Sequence, residues 1–194
     1  MTSLDRAFVA VVPPAAVLDA VAGALEPVRA EVVGARWAAR ERWHCTLRFL
    51  GPVPDVDAVV AALATVDDLP RFSVRVGGAG AFPSARRATV LWAGVTDGVD
   101  ELTGLAGVVD RAVVRAGLPP APRPFRPHVT LARLRHAVDV RRAVAELGES
   151  LAALAASATT WPVADVVVFE SRGGYEEVAR LALADPADGL PAQQ

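Results

Sequence analysis

Residues 44–47 read HCTL, and residues 128–131 read HVTL, 84 positions further on. A second echo goes with the first: Phe82-Pro83-Ser84 returns as Phe169-Glu170-Ser171 at an offset of 87. Two echoes at nearly one offset indicate an internal duplication, so two related lobes are expected. Strand-like and helix-like segments alternate around the echoes. Residues 7–12 (AFVAVV) read as a buried strand stopped by Pro13-Pro14. Residues 15–30 carry Val17, Leu18, Val21, Leu25 and Val28 at helical spacing. Further helices are expected over 55–66, 100–116 and 139–154. Further strands are expected within 37–50 and over 72–76, 88–95, 128–134, 163–169 and 177–183. Hairpin-like strand pairs within this alternation predict an α+β fold. The lobes are expected to interleave in one domain over 1–184, with a frayed tail at 185–194.

Composition narrows the function. The chain has 194 residues, 53% of them hydrophobic and 22% charged, so it can bury a core and is not disordered. Its 20 basic residues are all arginine, beside 39 alanines and 31 valines, which is the signature of a GC-rich coding sequence. A net charge of −2 argues against electrostatic coating of nucleic acid, though not against a local phosphate site. One cysteine excludes a disulfide framework, and no CxxC or Cys/His cluster suggests zinc. The apolar stretch 7–18 is broken by prolines and falls short of the ~20 residues that cross a membrane. No signal-peptide pattern precedes it. The chain is therefore read as a soluble, cytoplasmic monomer without a membrane partner. No GxGxxG or GxxxxGK[ST] motif is present, so no nucleotide cofactor is expected.

The chemistry resides in the paired motifs. Along a strand, residues i and i+2 share a face, so His44 lies with Thr46 and His128 with Thr130. Cys45, Leu47, Val129 and Leu131 point the other way, into a core. If the lobes are related by a twofold, the two His/Thr faces meet across a groove. One neutral and one protonated imidazole supply a general base and a general acid near neutral pH. Two threonine hydroxyls can each donate to a non-bridging phosphate oxygen. No carboxylate lies in either motif, so the expected reaction is a metal-free, cofactor-free acid–base attack on a phosphodiester. From the motifs alone, either histidine could be the acid.

The residues are recognisable at this point. The paired His-x-Thr-x motifs resemble the 2H phosphoesterase superfamily. Wider stretches resemble its bacterial and archaeal RNA 2′,3′-cyclic phosphodiesterase branch, once named 2′-5′ RNA ligases. They are 7–12 (AFVAVV), 43–51 (WHCTLRFLG), 80–87 (GAFPSARR), 90–95 (VLWAGV) and 123–133 (RPFRPHVTLAR), with a looser fit over 166–183. The resemblance implies an α+β fold of two pseudo-symmetric lobes, each an antiparallel sheet with helices, flanking a central cleft lined by the motif strands. It also implies hydrolysis of a terminal 2′,3′-cyclic phosphate on RNA to a 2′-phosphomonoester. Some relatives also join RNA ends through a 2′-5′ bond. It further implies that His44 is the proton donor, His128 the proton acceptor, and Thr46 and Thr130 the phosphate-oxygen ligands. Two departures stand out. Cys45 replaces an aliphatic residue, and the segment 171–175 (SRGGY) is shorter than the family loop that borders the cleft.

A substrate-binding set surrounds the motifs. Arg48 shares strand parity with His44 and Thr46, which favours the cleft. Arg126 flanks the second motif. Arg133 is favoured by the resemblance as a phosphate contact, but it has the opposite parity to His128 and reaches the site only where the strand ends or bulges. Arg86 and Arg87 follow the Phe-Pro-Ser bend, whose Phe82 and Ser84 join the set. Phe82, Phe169 and Tyr175 are candidates for stacking on a base. Seven arginines in or beside these segments (48, 86, 87, 123, 126, 133 and 135) point to a local basic surface sized for one RNA end. Two alternatives stay open: a 2H enzyme acting on a small cyclic nucleotide, and a non-catalytic module that binds RNA ends.

Overall fold

The computed structural model describes residues 3–185. β1 (Leu4–Val11) lies inside the sheet between two partner strands, and residues 7–11 are buried without interruption. A strand covered on both faces reads as such a continuous apolar run. Beyond the two prolines, α1 (Ala15–Arg29) buries Val17, Leu18, Val21, Ala24, Leu25 and Val28 on one face. A short β2 (Ala35–Trp37) and a 3-10 turn (Arg40–Arg42) lead into β3 (Cys45–Val53). α2 (Val56–Leu63) begins where the Asp55 carboxylate accepts the Ala58 N–H at 3.1 Å. β4 (Phe72–Phe82) and β5 (Ala88–Asp97) pair as a hairpin, and α3 (Val99–Arg115) follows. Gly98 enters α3 at φ +74, where an added Cβ would meet the Ser73 carbonyl oxygen at 2.3 Å. Only glycine is unstrained there. The proline-rich stretch 119–127 has no helix or strand and leads to β6 (His128–Val138). The chain continues through α4 (Arg141–Ala153), α5 (Ala156–Thr159), β7 (Thr160–Val163), β8 (Asp165–Glu170) and β9 (Glu176–Ala182).

The nine strands form one antiparallel sheet in the order β7-β4-β5-β6-β3-β1-β8-β9, with β2 paired to β6. The order mirrors itself about the centre. β3 and β6 are innermost, then β1 and β5, then β8 and β4, with β9 and β7 at the edges. The halves exchange strands. β4 follows the first half's α2 yet pairs with β5, and β8 follows the second half's helices yet pairs with β1. Helices cross over too: α1 packs on α4 and α5, and α3 packs on β3 and α2. One apolar cluster runs beneath both halves and includes Leu25, Leu63, Leu91, Leu131 and Leu147.

Two expectations are refined. The apolar run 163–169 is not one strand. β7 pairs with β4 and β8 with β1, so the chain crosses from one half to the other at Ala164. The two lobe sheets are also continuous, joined through the single pair Cys45↔Val129 between β3 and β6. Beyond that pair β6 takes β2 as its neighbour, with Arg36↔Arg133 and Ala35↔Leu134 in register. Asp185 pairs with Arg71 at 2.8 Å, and the rest of the expected tail, 186–194, lies outside the described residues. No helix among the described residues is long and apolar enough to cross a membrane.

Candidate active site

The seam between the halves brings the residues of the two motifs together. Antiparallel pairing of Cys45 with Val129 sets His44 beside Thr130 and Thr46 beside His128 across the strands. All four side chains leave on one face, because Cys45 and Val129 between them are buried on the other, 0% and 2% exposed. The backbone before His44 is pinned by Trp43. This residue is 1% exposed and its Nε1–H donates to the Ala38 carbonyl at 3.1 Å. Burying an indole in this way contributes about 2–3 kcal/mol, so the strand entry is rigid.

Both imidazoles are held by the same device. His44 Nδ1 lies 2.8 Å from the Arg42 carbonyl oxygen, and His128 Nδ1 lies 2.6 Å from that of Arg126. A carbonyl only accepts, so Nδ1 carries the proton and Nε2 of the neutral ring is an acceptor. Thr46 Oγ1–H donates to His44 Nε2 at 3.0 Å, whereas His128 Nε2 has no hydrogen-bond partner among the described residues. Burial pushes both histidines below the ordinary 6.5. The backbone bonds at Nδ1 oppose burial, while the Arg133 charge adds to it at both rings. The positive form of His128 depresses His44 further. Cys45, behind them, is pushed up to about 12 by burial. It is a neutral packing group, as its alternation predicts.

A bulge follows each motif, and it decides which arginine reaches the cleft. Between β1 and β3 the register runs Val9↔Arg48 then Ala10↔Thr46, leaving Leu47 over. Between β5 and β6 it runs Leu91↔Ala132 then Trp92↔Thr130, leaving Leu131 over. An extra residue reverses the side-chain parity beyond it. Arg48, expected at the cleft, is therefore turned into the core and is 7% exposed. Its Nε donates to Asp110 Oδ1 at 2.6 Å, and its terminal nitrogens donate to the Phe49 and Pro119 carbonyls. Three of its five N–H donors are engaged in this way, tying β3 to α3 and the proline-rich connector, and burial keeps the side chain away from the cleft. Arg133 gains by the same reversal. It is exposed and lies on the His128 and Thr130 face. Phe49, which the parity reading passed over, occupies the matching outward position in the first half and is 64% exposed. The offset of 84 that links His44 to His128 also links Phe49 to Arg133, and was the signal that could have found it.

Aromatic rings surround each histidine. Phe8 stacks on His44 at 4.7 Å, and Tyr175 meets it edge-on at 5.2 Å. Phe169 stacks on Phe8 at 5.3 Å, and the Arg42 guanidinium lies over Tyr175 at 5.7 Å. Phe82 meets His128 edge-on at 5.0 Å, with Trp92 5.9 Å away. Trp92 lies across Gly80, where an added Cβ would come within 2.2 Å of the indole. Ser84 sits in the exposed turn after the Phe82–Pro83 cis bond, and its carbonyl accepts the Arg87 N–H. Its hydroxyl has no partner among the described residues. Arg126 exposes its side chain and serves His128 through its carbonyl. The short loop 171–175 is anchored by Arg172, which pairs with Asp5 at 2.6 Å and Glu170 at 3.7 Å. Among the described residues no group of three or more His, Cys, Asp or Glu side chains is placed to hold a metal ion.

Comparison with known proteins agrees with this geometry. The family model of the 2′-5′ RNA ligase superfamily matches residues 16–174. A protein of Aeropyrum pernix named RNA 2′,3′-cyclic phosphodiesterase is 37% identical over 110 residues, 56% of this chain and 62% of that relative. The chain thus spans less than two thirds of that relative's length. A protein of Aquifex aeolicus with the same name is 30% identical over 135 residues, 67% of this chain and 71% of the relative. Among solved structures, E. coli LigT complexed with 3′-AMP superposes with a TM-score of 0.66 at 25% identity, covering 93% of this chain and 98% of that one.

Proposed function

The chain belongs to the 2′-5′ RNA ligase superfamily, and from that premise we propose that it opens the 2′,3′-cyclic phosphate of an RNA end to a 2′-phosphomonoester. The observation that carries the reading is the set of four side chains around the Cys45–Val129 pair: two imidazoles and two hydroxyls on one face of one seam. His128 Nε2 has a free lone pair and takes a proton from water. The resulting hydroxide attacks phosphorus in line with the 3′ oxygen. The phosphorus–O3′ bond breaks, and His44 Nε2 delivers a proton to O3′. Thr46 and Thr130 donate to the two non-bridging oxygens, and Arg133 offsets the charge that builds up in the transition state. As the phosphate arrives, the Thr46 hydroxyl turns from His44 to the substrate. The anion then draws a proton onto the freed nitrogen, because a nearby opposite charge favours the imidazolium. If an RNA 5′-hydroxyl replaces water as the nucleophile, the same steps join two ends through a 2′-5′ bond.

The names of the relatives support the hydrolytic activity, and the complex of LigT with 3′-AMP supports a nucleotide as the kind of ligand. The test is incubation with an oligoribonucleotide ending in a 2′,3′-cyclic phosphate, the product read by phosphatase sensitivity and mass. A 2′-phosphomonoester is expected, with EDTA leaving the rate unchanged. A 3′-phosphomonoester would reverse the leaving group, and loss of activity in EDTA would overturn the metal-free step.

A further inference from the structure

The catalytic face continues past the four motif residues into a row of guanidiniums. Arg36 on β2 is the register partner of Arg133 on β6. Their side chains therefore leave on one face, with the Cα atoms about 5 Å apart. Arg135 returns to that face two residues further along β6. All three are exposed. None belongs to any of the ion pairs among the described residues, although nine other arginines do. Like charges set opposite each other across two strands are destabilising. A pair kept that way without a carboxylate is prepared for an anion from outside, and the planar arginine fork suits phosphate.

A depression lies beside the arginines. Arg36 and Arg135 line one depression of about 410 Å³ between β2 and the far half of β6, together with Val33, Gly34, Leu134 and His136. That volume lies in the range of small-ligand sites and would hold one nucleotide. Val33, 82% exposed, offers an apolar surface to a base, and the arginines stand beside it. From the strand rise, the depression lies roughly 15 Å beyond Thr130 along β6. An RNA whose cyclic end sits between the histidines extends away through its 5′ phosphates, and this face is open to them.

We propose that the depression is a second binding site, for a nucleotide upstream of the cyclic end, with Arg36 and Arg135 holding its phosphates. The proposal rests on the function given above, and it makes single-stranded RNA, rather than a mononucleotide, the substrate class. The test compares the wild type with the Arg36→Ala/Arg135→Ala double variant on a short oligoribonucleotide with a 2′,3′-cyclic end and on 2′,3′-cyclic AMP. For the oligonucleotide, KM is expected to rise about tenfold with kcat unchanged. The slope of log KM against log salt should flatten by about 1.4, or ~0.7 for each lost phosphate contact on a single strand. Cyclic AMP lacks the upstream phosphates, and its kcat/KM should not change. An oligonucleotide KM and salt slope equal to wild type would overturn the second site while leaving the proposed function standing. If the wild type opens neither substrate, the proposed function fails instead. Fluorescence anisotropy with a labelled oligoribonucleotide ending in a 2′-phosphate then still decides the site: weaker binding by the variant supports it, and equal binding overturns it.

Discussion

The half of the cleft around His44 and the half around His128 match position by position before they diverge. At an offset of 84, Phe8 corresponds to Trp92, Cys45 to Val129, Thr46 to Thr130 and Leu47 to Leu131. Both halves use the same backbone device: a buried strand, a histidine tied at Nδ1 to a carbonyl two residues back, and a bulge after the motif. Beyond the bulge they part. The inward position is Arg48 in one half and Ala132 in the other, and the outward position is Phe49 in one and Arg133 in the other. A duplicated frame has thus kept its His-x-Thr parts alike while its flanks diverged, with an exposed aromatic on one side and, on the other, an exposed cation without an ion pair among the described residues.

The most damaging way to probe this comparison is to remove either histidine. His44→Ala and His128→Ala should each lower kcat/KM by about a thousandfold, within the usual worth of a general acid or base, with unchanged circular dichroism. Wild-type turnover in either variant would break the equivalence of the halves. Arg133→Gln should lower kcat/KM by roughly ten- to a hundredfold through lost phosphate binding. It carries a second signature. The Arg133 charge depresses both histidines, so its removal raises both, and the whole kcat/KM–pH profile should move to higher pH. A weakened but unmoved profile would place Arg133 away from the rings.

Arg48→Ala gives the first half the residue of the second. It strands Asp110 and two carbonyls, and should cost about 2 kcal/mol in urea unfolding while KM stays at wild type. A raised KM with unchanged stability would return Arg48 to the cleft. Phe49→Ala removes a side chain that is 64% exposed, so stability should move by less than ~0.5 kcal/mol. If the ring stacks on a base, the KM for an oligoribonucleotide should rise about fivefold. The smallest expected effect is a displacement between two pH profiles. In the free enzyme both histidines lie below 6.5, so the form with one proton between them is most populated below that pH, where kcat/KM should peak. Bound phosphate raises the acid, so the kcat profile should lie on the alkaline side. Coincident profiles would mean that substrate does not recharge His44.

Much of the site was legible because strand alternation and the repeated tetrapeptide report on each other: His44, Thr46, His128 and Thr130 needed only a period of two and an offset. The arginines needed the register. A bulge is created by the partner strand, and its trace in the bulged strand is two adjacent buried residues. In β6 that trace is Leu131-Ala132, an apolar pair that can be read; in β3 it is Leu47-Arg48, where a charge hides it. The helices were legible from their apolar faces and stops. The strand exchange was not, because the apolar run over 163–169 looks the same whichever sheet edge receives it.

That exchange has a consequence for how the molecule is made. Phe8, in β1, is the register partner of Phe169, in β8, far along the chain. Pairing across so much sequence is slow to form, because the intervening loop must be closed before any contact repays it. While the nascent chain lacks β8, the apolar edge of β1 has no partner, and Phe169 and Tyr175 are missing from the His44 side of the cleft. A polypeptide halted after α4 would contain both histidines, both threonines and Arg133, and still lack the Phe169 and Tyr175 rings beside His44.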